Sequence, residues 1–346
     1  MNLRIQLRIR VRTDPKGLMR KHLLMLTVML TVGTGCDNVE WGGIDVELKP
    51  PPESARPVSV EAGQNDPPGP KNYSGPLLLA GIRNGERADF VVVGEVHPDV
   101  LREFPDARFP EDQGRLAALT APGTEWVLFS DGVRVGRMVT EASGPAQGFC
   151  GSRTEVSGVV ELVPSAAGAE RLLAMPASDV SPRPYEPYRA IRHQYDQRVA
   201  TLTIAGAALR DYSAVYPPLG MLDARDHIQA YQLRHAPGEA VAATFMHEDE
   251  LAIAPPGPRA YALFVIGEQD GAEYDMAYSW YREVDAEGKG APRYFDHLDW
   301  DNDGTDEILL DVLGANRRWF AALGRRDGTW ARTFQDSCGS SSAAGG

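Results

Sequence analysis

The chain has 346 residues, enough for one large domain or two of ordinary size, and an apolar fraction of 43% that supports a real core and excludes a chain disordered throughout. Its formal charge is −13; residues 1–35 hold seven Lys/Arg against Asp14 alone, so the remainder carries −19. That excludes a nucleic-acid binder working by phosphate neutralisation and suits solubility and cation binding.

In chain order, Arg20, Lys21 and His22 precede an apolar run from Leu23 to Val32, and Gly33, Thr34 and Gly35 lead into Cys36. The run is too short to span a bilayer, and residues 1–35 read as a signal peptide. Residues 1–18 are Arg-rich without an apolar run, so Met19 is an alternative start. The arrangement resembles a bacterial lipoprotein signal, in which the Cys after the small residues becomes the lipidated first residue; Gly33 stands where that signal commonly has an aliphatic side chain. The resemblance implies lipid on Cys36, a membrane partner through that anchor, and an exported cell-envelope protein, periplasmic or at the cell surface. A plain signal peptide cut nearby is the alternative.

Residues 36–72 read as a tether, polyproline-like from Lys49 onward, with "VEWGGIDVEL" as a short strand before it. From residue 73 to 180 the pattern is that of an N-terminal β domain: "PLLLAGI", "DFVVVGEV", "EWVLFSDGVRVGRMVTEA" and "VSGVVELVP". In the third of these, Ser130-Asp131-Gly132 lies between two β-rich arms and predicts a hairpin. Residues 186–212 are the best helical stretch, although Thr201, Thr203 and Ile204 also suit a strand. Residues 186–336 read as a second β module, with strands in "AVAATFM", "AYALFVIG", "YDMAYSWYREV", "EILLDVL" and "RWFAALGRRDGTWARTF". Residues 337–346 read as a disordered tail. The segments 229–245 and 293–312 share an order of apolar strand, Gly-containing polar loop and apolar strand, with 66 residues between Gly238 and Gly304. Either a faint repeat or chance similarity of two hairpins accounts for it.

With Cys36 acylated, Cys150 and Cys338 remain as an even pair in an oxidising compartment, where a disulfide is the default and two buried thiols the alternative. Tyr274, Tyr278, Trp280 and Tyr281 alternate enough to present an aromatic face to a protein or glycan ligand, or else to pack into their own sheet. The sequence contains no G-x-S-x-G, Walker A, G-x-G-x-x-G or H-E-x-x-H.

The densest chemistry is "DWDNDGTDE", residues 299–307. With Asp299 as position 1, Asp301, Asp303, the Thr305 carbonyl and Glu307 fall at positions 3, 5, 7 and 9, and Gly304 at 6 permits a sharp turn. Alternating oxygen donors suit a hard cation, and Ca²⁺ fits a flexible carboxylate cage better than Mg²⁺. Position 12 is Leu310, which excludes an EF-hand. The stretch resembles the calcium loops of FG-GAP and VCBS-type repeats, which end directly in an apolar strand, and residues 294–335 more loosely resemble the C-terminal part of bacterial lipoproteins of uncharacterised function. The resemblance implies one structural Ca²⁺ in a single repeat copy. The reading as a whole is a mainly β chain of antiparallel sheets, sandwich-like or partly propeller-like, with one or two short helices. It predicts a calcium-stabilised binding or envelope-structural protein rather than an enzyme; a secreted hydrolase with a structural calcium is the alternative.

Overall fold

A computed structural model describes residues 75–98, 100–103, 110–180, 186–234 and 236–340. The signal segment, Cys36, the tether and residues 341–346 lie outside the described residues. The fold is mainly β and antiparallel, in line with the sequence, but its first half closes on itself. Strands β1 (Leu77–Asn84), β2 (Arg87–His97), β3 (Val100–Arg102), β4 (Glu125–Ser130), β5 (Val133–Pro145), β6 (Thr154–Leu162) and β7 (Arg171–Pro176) are ordered β1-β7-β4-β5-β6-β2-β3. An added β1–β2 pairing joins the two ends into a six-stranded barrel, with β3 hanging on β2. A helix, α1 (Pro110–Leu119), connects β3 to β4.

The apolar runs that lack a polar face in the sequence are explained by this closure. Leu77, Leu79, Phe90, Val92, Trp126, Leu128, Leu172 and Ala174 fill the barrel. The alternate residues Leu78, Val91, Val93, Val127, Phe129, Leu173 and Met175 point outward and pack on Phe295, Leu298, Trp300, Leu309 and Phe320 of a neighbouring sheet. A strand covered on both faces has no use for alternation, since each buried large aliphatic or aromatic side chain contributes about 1.5–3 kcal/mol.

Two four-stranded meanders follow. The first is β8 (Arg225–Tyr231), β9 (Ala240–His247), β10 (Tyr261–Asp270) and β11 (Glu273–Glu283); the second is β12 (Ala291–Leu298), β13 (Glu307–Leu313), β14 (Arg318–Arg326) and β15 (Thr329–Gln335). They pack face to face through Tyr231, Ala242, Phe264, Ile266 and Trp280 on one side and Tyr294, Leu310, Val312, Trp319 and Leu323 on the other. The segments 229–245 and 293–312 supply the opening hairpin of each meander, so their shared pattern corresponds to equivalent places in two sheets of the same strand order.

The helix expected over 186–212 is α2 (Tyr195–Asp211), which starts nine residues later. A capping box sets that start: the Gln194 N–H donates to Gln197 Oε1 at 2.7 Å, satisfying an end donor that the helix itself leaves unpaired. Ile204, Ala205, Ala208 and Leu209 then cover the outer face of the first meander, against Ala243, Phe245, Leu263 and Val265. The layers therefore run helix, sheet, sheet, barrel. Tyr274 and Tyr281 are packed beneath α2, while Trp280 and Tyr278 lie on the opposite face between the sheets. These aromatics divide between the two faces of β11 and form no common platform.

Cys150 and Cys338 are joined, with Cα atoms 5.8 Å apart and 188 residues between them in sequence. The bond explains why Ser337–Ser340, expected within a disordered tail, instead form a helical turn. Around it, the Cys150 N–H donates to Arg318 O at 3.0 Å and Asp336 lies fully buried against Arg153, accepting the Phe320 N–H at 2.9 Å.

Candidate cation sites at the β12–β13 loop and the barrel turn

The acidic loop spans residues 299–306 and joins β12 to β13. In the ladder Leu298 is paired with Glu307, so the first residue of β13 stands directly beside the first acidic residue of the loop. Asn302 and Gly304 adopt left-handed backbone, φ 62° and 93°, and turn the chain back as the sequence spacing requires. Oxygens of Asp299, Asp301 and Glu307 come within 4.8 Å of one another. That separation is about twice a Ca²⁺–oxygen distance of roughly 2.4 Å, so one ion between them touches all three.

Asp303 does not join this trio. Its Oδ1 accepts the Thr305 N–H at 2.7 Å, while its own N–H donates to Asp301 Oδ1 at 3.2 Å, an Asx-type arrangement that shapes the turn. Asp303 and Thr305 both border the cavity of about 370 Å³ onto which Asp301 and Glu307 open. Burial pushes the Glu307 carboxyl up to about 9, the nearby Asp301 adding to the effect and the Trp300 N–H, 3.3 Å from Oε2, opposing it. The donor set is all oxygen, the chemistry that a hard cation takes, and three of the four carboxylates in the sequence pattern are within reach of one ion.

A second cluster was not visible in the sequence. The turn between β4 and β5 is Asp131-Gly132, with φ of 48° and 74°, the conformation that a two-residue Asp-Gly hairpin favours. It meets β12, the edge strand of its sheet, just after a bulge between Tyr294 and Asp296. A bulge re-aims side chains, and here Asp296 and His297 are both brought to the turn. The N–H groups of Asp131 and His297 donate to Asp296 Oδ1 at 2.9 and 2.8 Å. An oxygen of each Asp and a ring nitrogen of His297 lie within 4.8 Å of one another.

The His297 ring is held at both nitrogens, Nδ1 by the Tyr294 hydroxyl at 2.6 Å and Nε2 by Gln232 O at 3.0 Å. A carbonyl only accepts, so Nε2 carries the proton and Nδ1 takes one from the Tyr. Burial holds the imidazole below its ordinary pKa and pushes both Asp131 and Asp296 upward, Asp296 well above the usual range; the charge of Asp131 adds to the effect at Asp296, while His297 and a hydrogen bond from Tyr188 oppose it at Asp131. Asp131, Gly132, Gln232, Arg234, His297 and Asp306 line one cavity of about 370 Å³. The Arg234 N–H is bonded to Asp306 Oδ2, so the first loops of the two meanders are tied together at this point.

The only local trace of this site was the spacing of Asp296, His297 and Asp299 in "YFDHLD"; Asp131 lies 165 residues away and reads as an ordinary turn. No protein family, curated protein or solved structure matches this chain.

Proposed function

We propose that this chain is the ectodomain of an exported, lipid-anchored envelope protein, a β-rich binding or structural module in which one Ca²⁺ locks the 299–307 loop. The observation that carries the reading is the convergence of Asp299, Asp301 and Glu307 at the entry to β13. Buried carboxylates that close repel one another, and a divalent cation converts that repulsion into a clamp between β12 and β13. Because β13 is an interior strand of its sheet, the clamp steadies the layer that contacts both the barrel and the first meander. Lipid on Cys36 and the Pro-rich stretch to residue 72 supply the anchor and spacer.

The test is thermal unfolding of the mature protein with and without Ca²⁺. At ten times Kd the ion stabilises by about 1.4 kcal/mol. A midpoint that rises with Ca²⁺, reverses with EDTA and no longer responds in Asp301→Ala supports the reading; an unmoved midpoint at millimolar Ca²⁺ removes it. Mass spectrometry of the mature N-terminus tests the anchor separately.

A second reading, a secreted hydrolase with a purely structural calcium, is favoured by one observation. The carboxyl groups of Asp131 and Asp306 and the His297 imidazole share the wall of one cavity, the combination that acid–base chemistry uses.

A further inference from the structure

We infer that Asp131, Asp296 and His297 form a second metal site, distinct from the calcium loop, that takes a divalent transition metal of the Zn²⁺ or Mn²⁺ class. The three side chains offer two carboxylate oxygens and one imidazole nitrogen within 4.8 Å of one another. A nitrogen in the set separates this site from the all-oxygen loop: imidazole suits borderline metals such as Zn²⁺, and carboxylates bind these and Mn²⁺ alike, whereas Ca²⁺ prefers oxygen alone.

A cluster of acids proves little by itself, since structural turns hold many. The independent observation here is unpaired polarity in the interior. Asp296 is 2% exposed and Oδ1 takes two backbone N–H groups, yet Oδ2 is buried with no hydrogen-bond partner. Asp306, also 2% exposed, gives Oδ2 to the Arg234 N–H while Oδ1 is buried without one. A buried acceptor left unmade is costly, and a charged one most of all, so the two of them, Asp306 on the cavity wall and Asp296 next to His297 in the chain, call for a cation.

The neighbouring guanidinium groups favour the ionised carboxylates from nearby but give these hydrogen bonds to backbone carbonyls: Arg171 Nη1 donates to Tyr294 O at 3.3 Å and Arg234 Nη2 to Gly132 O at 3.2 Å. The surroundings also match those of a metal-bound histidine. Nε2–H is fixed on a backbone carbonyl, which orients the ring and makes Nδ1 the ligand atom, the metal taking the place of the hydrogen bond that Nδ1 accepts from the Tyr294 hydroxyl; Nδ1 lies 3.8 Å from Asp296 Oδ1. Gly132 keeps the ring in this position, because a Cβ there would stand 2.9 Å from His297 Nε2 and 3.8 Å from Asp306 Oδ1. Of the three ligands Asp131 and His297 line the cavity, and a set of three protein ligands leaves a coordination position for water or a small anion, the arrangement of a reactive site rather than a closed structural one. Asp306, on the same wall, is placed to accept a hydrogen bond from whatever fills it.

The experiment is isothermal titration of the metal-stripped mature protein with Zn²⁺ and, separately, Mn²⁺, both in saturating Ca²⁺, with Co²⁺ absorption as a second readout. One equivalent is expected to bind, with affinity lowered by ~100-fold or more in Asp131→Asn and in Asp296→Asn, beyond the roughly 10–100-fold that loss of an outer hydrogen-bond partner costs. The Co²⁺ spectrum should change in His297→Gln, while Asp301→Ala binds as wild type. Near-UV circular dichroism checks that each variant is folded. If Asp296→Asn does not fold, Asp131→Asn, on a partly exposed turn, decides. Absence of binding, equal binding in Asp131→Asn, or loss of binding in Asp301→Ala overturns the site; the first two leave the calcium loop untouched, and the third places the bound metal in that loop instead.

Discussion

Asp131 donates its backbone N–H to Oδ1 of Asp296 at 2.9 Å, and this bond, between residues 165 apart in sequence, fastens the turn of a barrel hairpin to the bulged edge of a separate sheet. The contact sets the distance between the barrel and the meanders at the point where the second cavity opens.

Gly132 is the tightest point of that junction. Its φ of 74° is costly for any residue with a Cβ, and the added atom would press on the His297 ring, which Tyr294 and Gln232 hold in place. Gly132→Ala is expected to destabilise the protein by about 2 kcal/mol, read as a lower urea midpoint at unchanged m-value.

The acidic loop allows its two kinds of Asp to be told apart. Asp301 faces the other ligands, whereas Asp303 caps the Thr305 N–H. Asp301→Asn should therefore weaken Ca²⁺ binding by calorimetry much more than Asp303→Asn, whose amide oxygen still accepts from Thr305. Equal losses would place Asp303 among the ligands, as the D-x-D-x-D spacing alone suggests.

Reduction of the Cys150–Cys338 bond is expected to cost up to roughly 5 kcal/mol by the loop-closure argument for a 188-residue separation. Cys338→Ser should lower the melting temperature and free residues 337–340, detectable as accelerated proteolysis at the C-terminal end. Non-reducing peptide mapping should recover "FCGSR" linked to "DSCGSS".

His227 predicts an acid limb. Burial, with Arg171, Arg293 and His193 adding to it, lowers its pKa from 6.5 to about 3, and Nδ1 is buried without a partner. Above pH 6.5 the ring is neutral in both folded and unfolded chains and costs nothing. As pH falls from 6.5 toward 3, the unfolded chain gains a proton that the folded one refuses, so stability is lost across that window. A loss of roughly 3 kcal/mol by pH 4 is expected, reduced in His227→Gln; identical pH profiles for the two proteins would assign the acid limb to other groups.

Short-range physics made much of this protein legible before its fold was known. Asp131-Gly132 between β-rich arms implied a hairpin, because only certain residues tolerate consecutive positive φ; the runs "DFVVVGEV" and "EILLDVL" implied strands; and the spacing of Asp299, Asp301, Asp303 and Glu307 around Gly304 implied an inward-facing carboxylate cage, of which Asp299, Asp301 and Glu307 come together. Each of these depends on neighbours within about ten residues. α2 starts at Tyr195, nine residues after the expected 186, because composition alone does not mark where a helix begins. Barrel closure required β7 to insert between β1 and β4, a pairing over roughly ninety residues that no local pattern encodes. The turning of Asp303 toward Thr305, the division of the β11 aromatics between two faces, and the meeting of Asp131 with Asp296 and His297 were likewise decided by packing. A side chain's chemical type is written in the sequence, but the direction it points and the groups it meets are fixed only when the layers close around it.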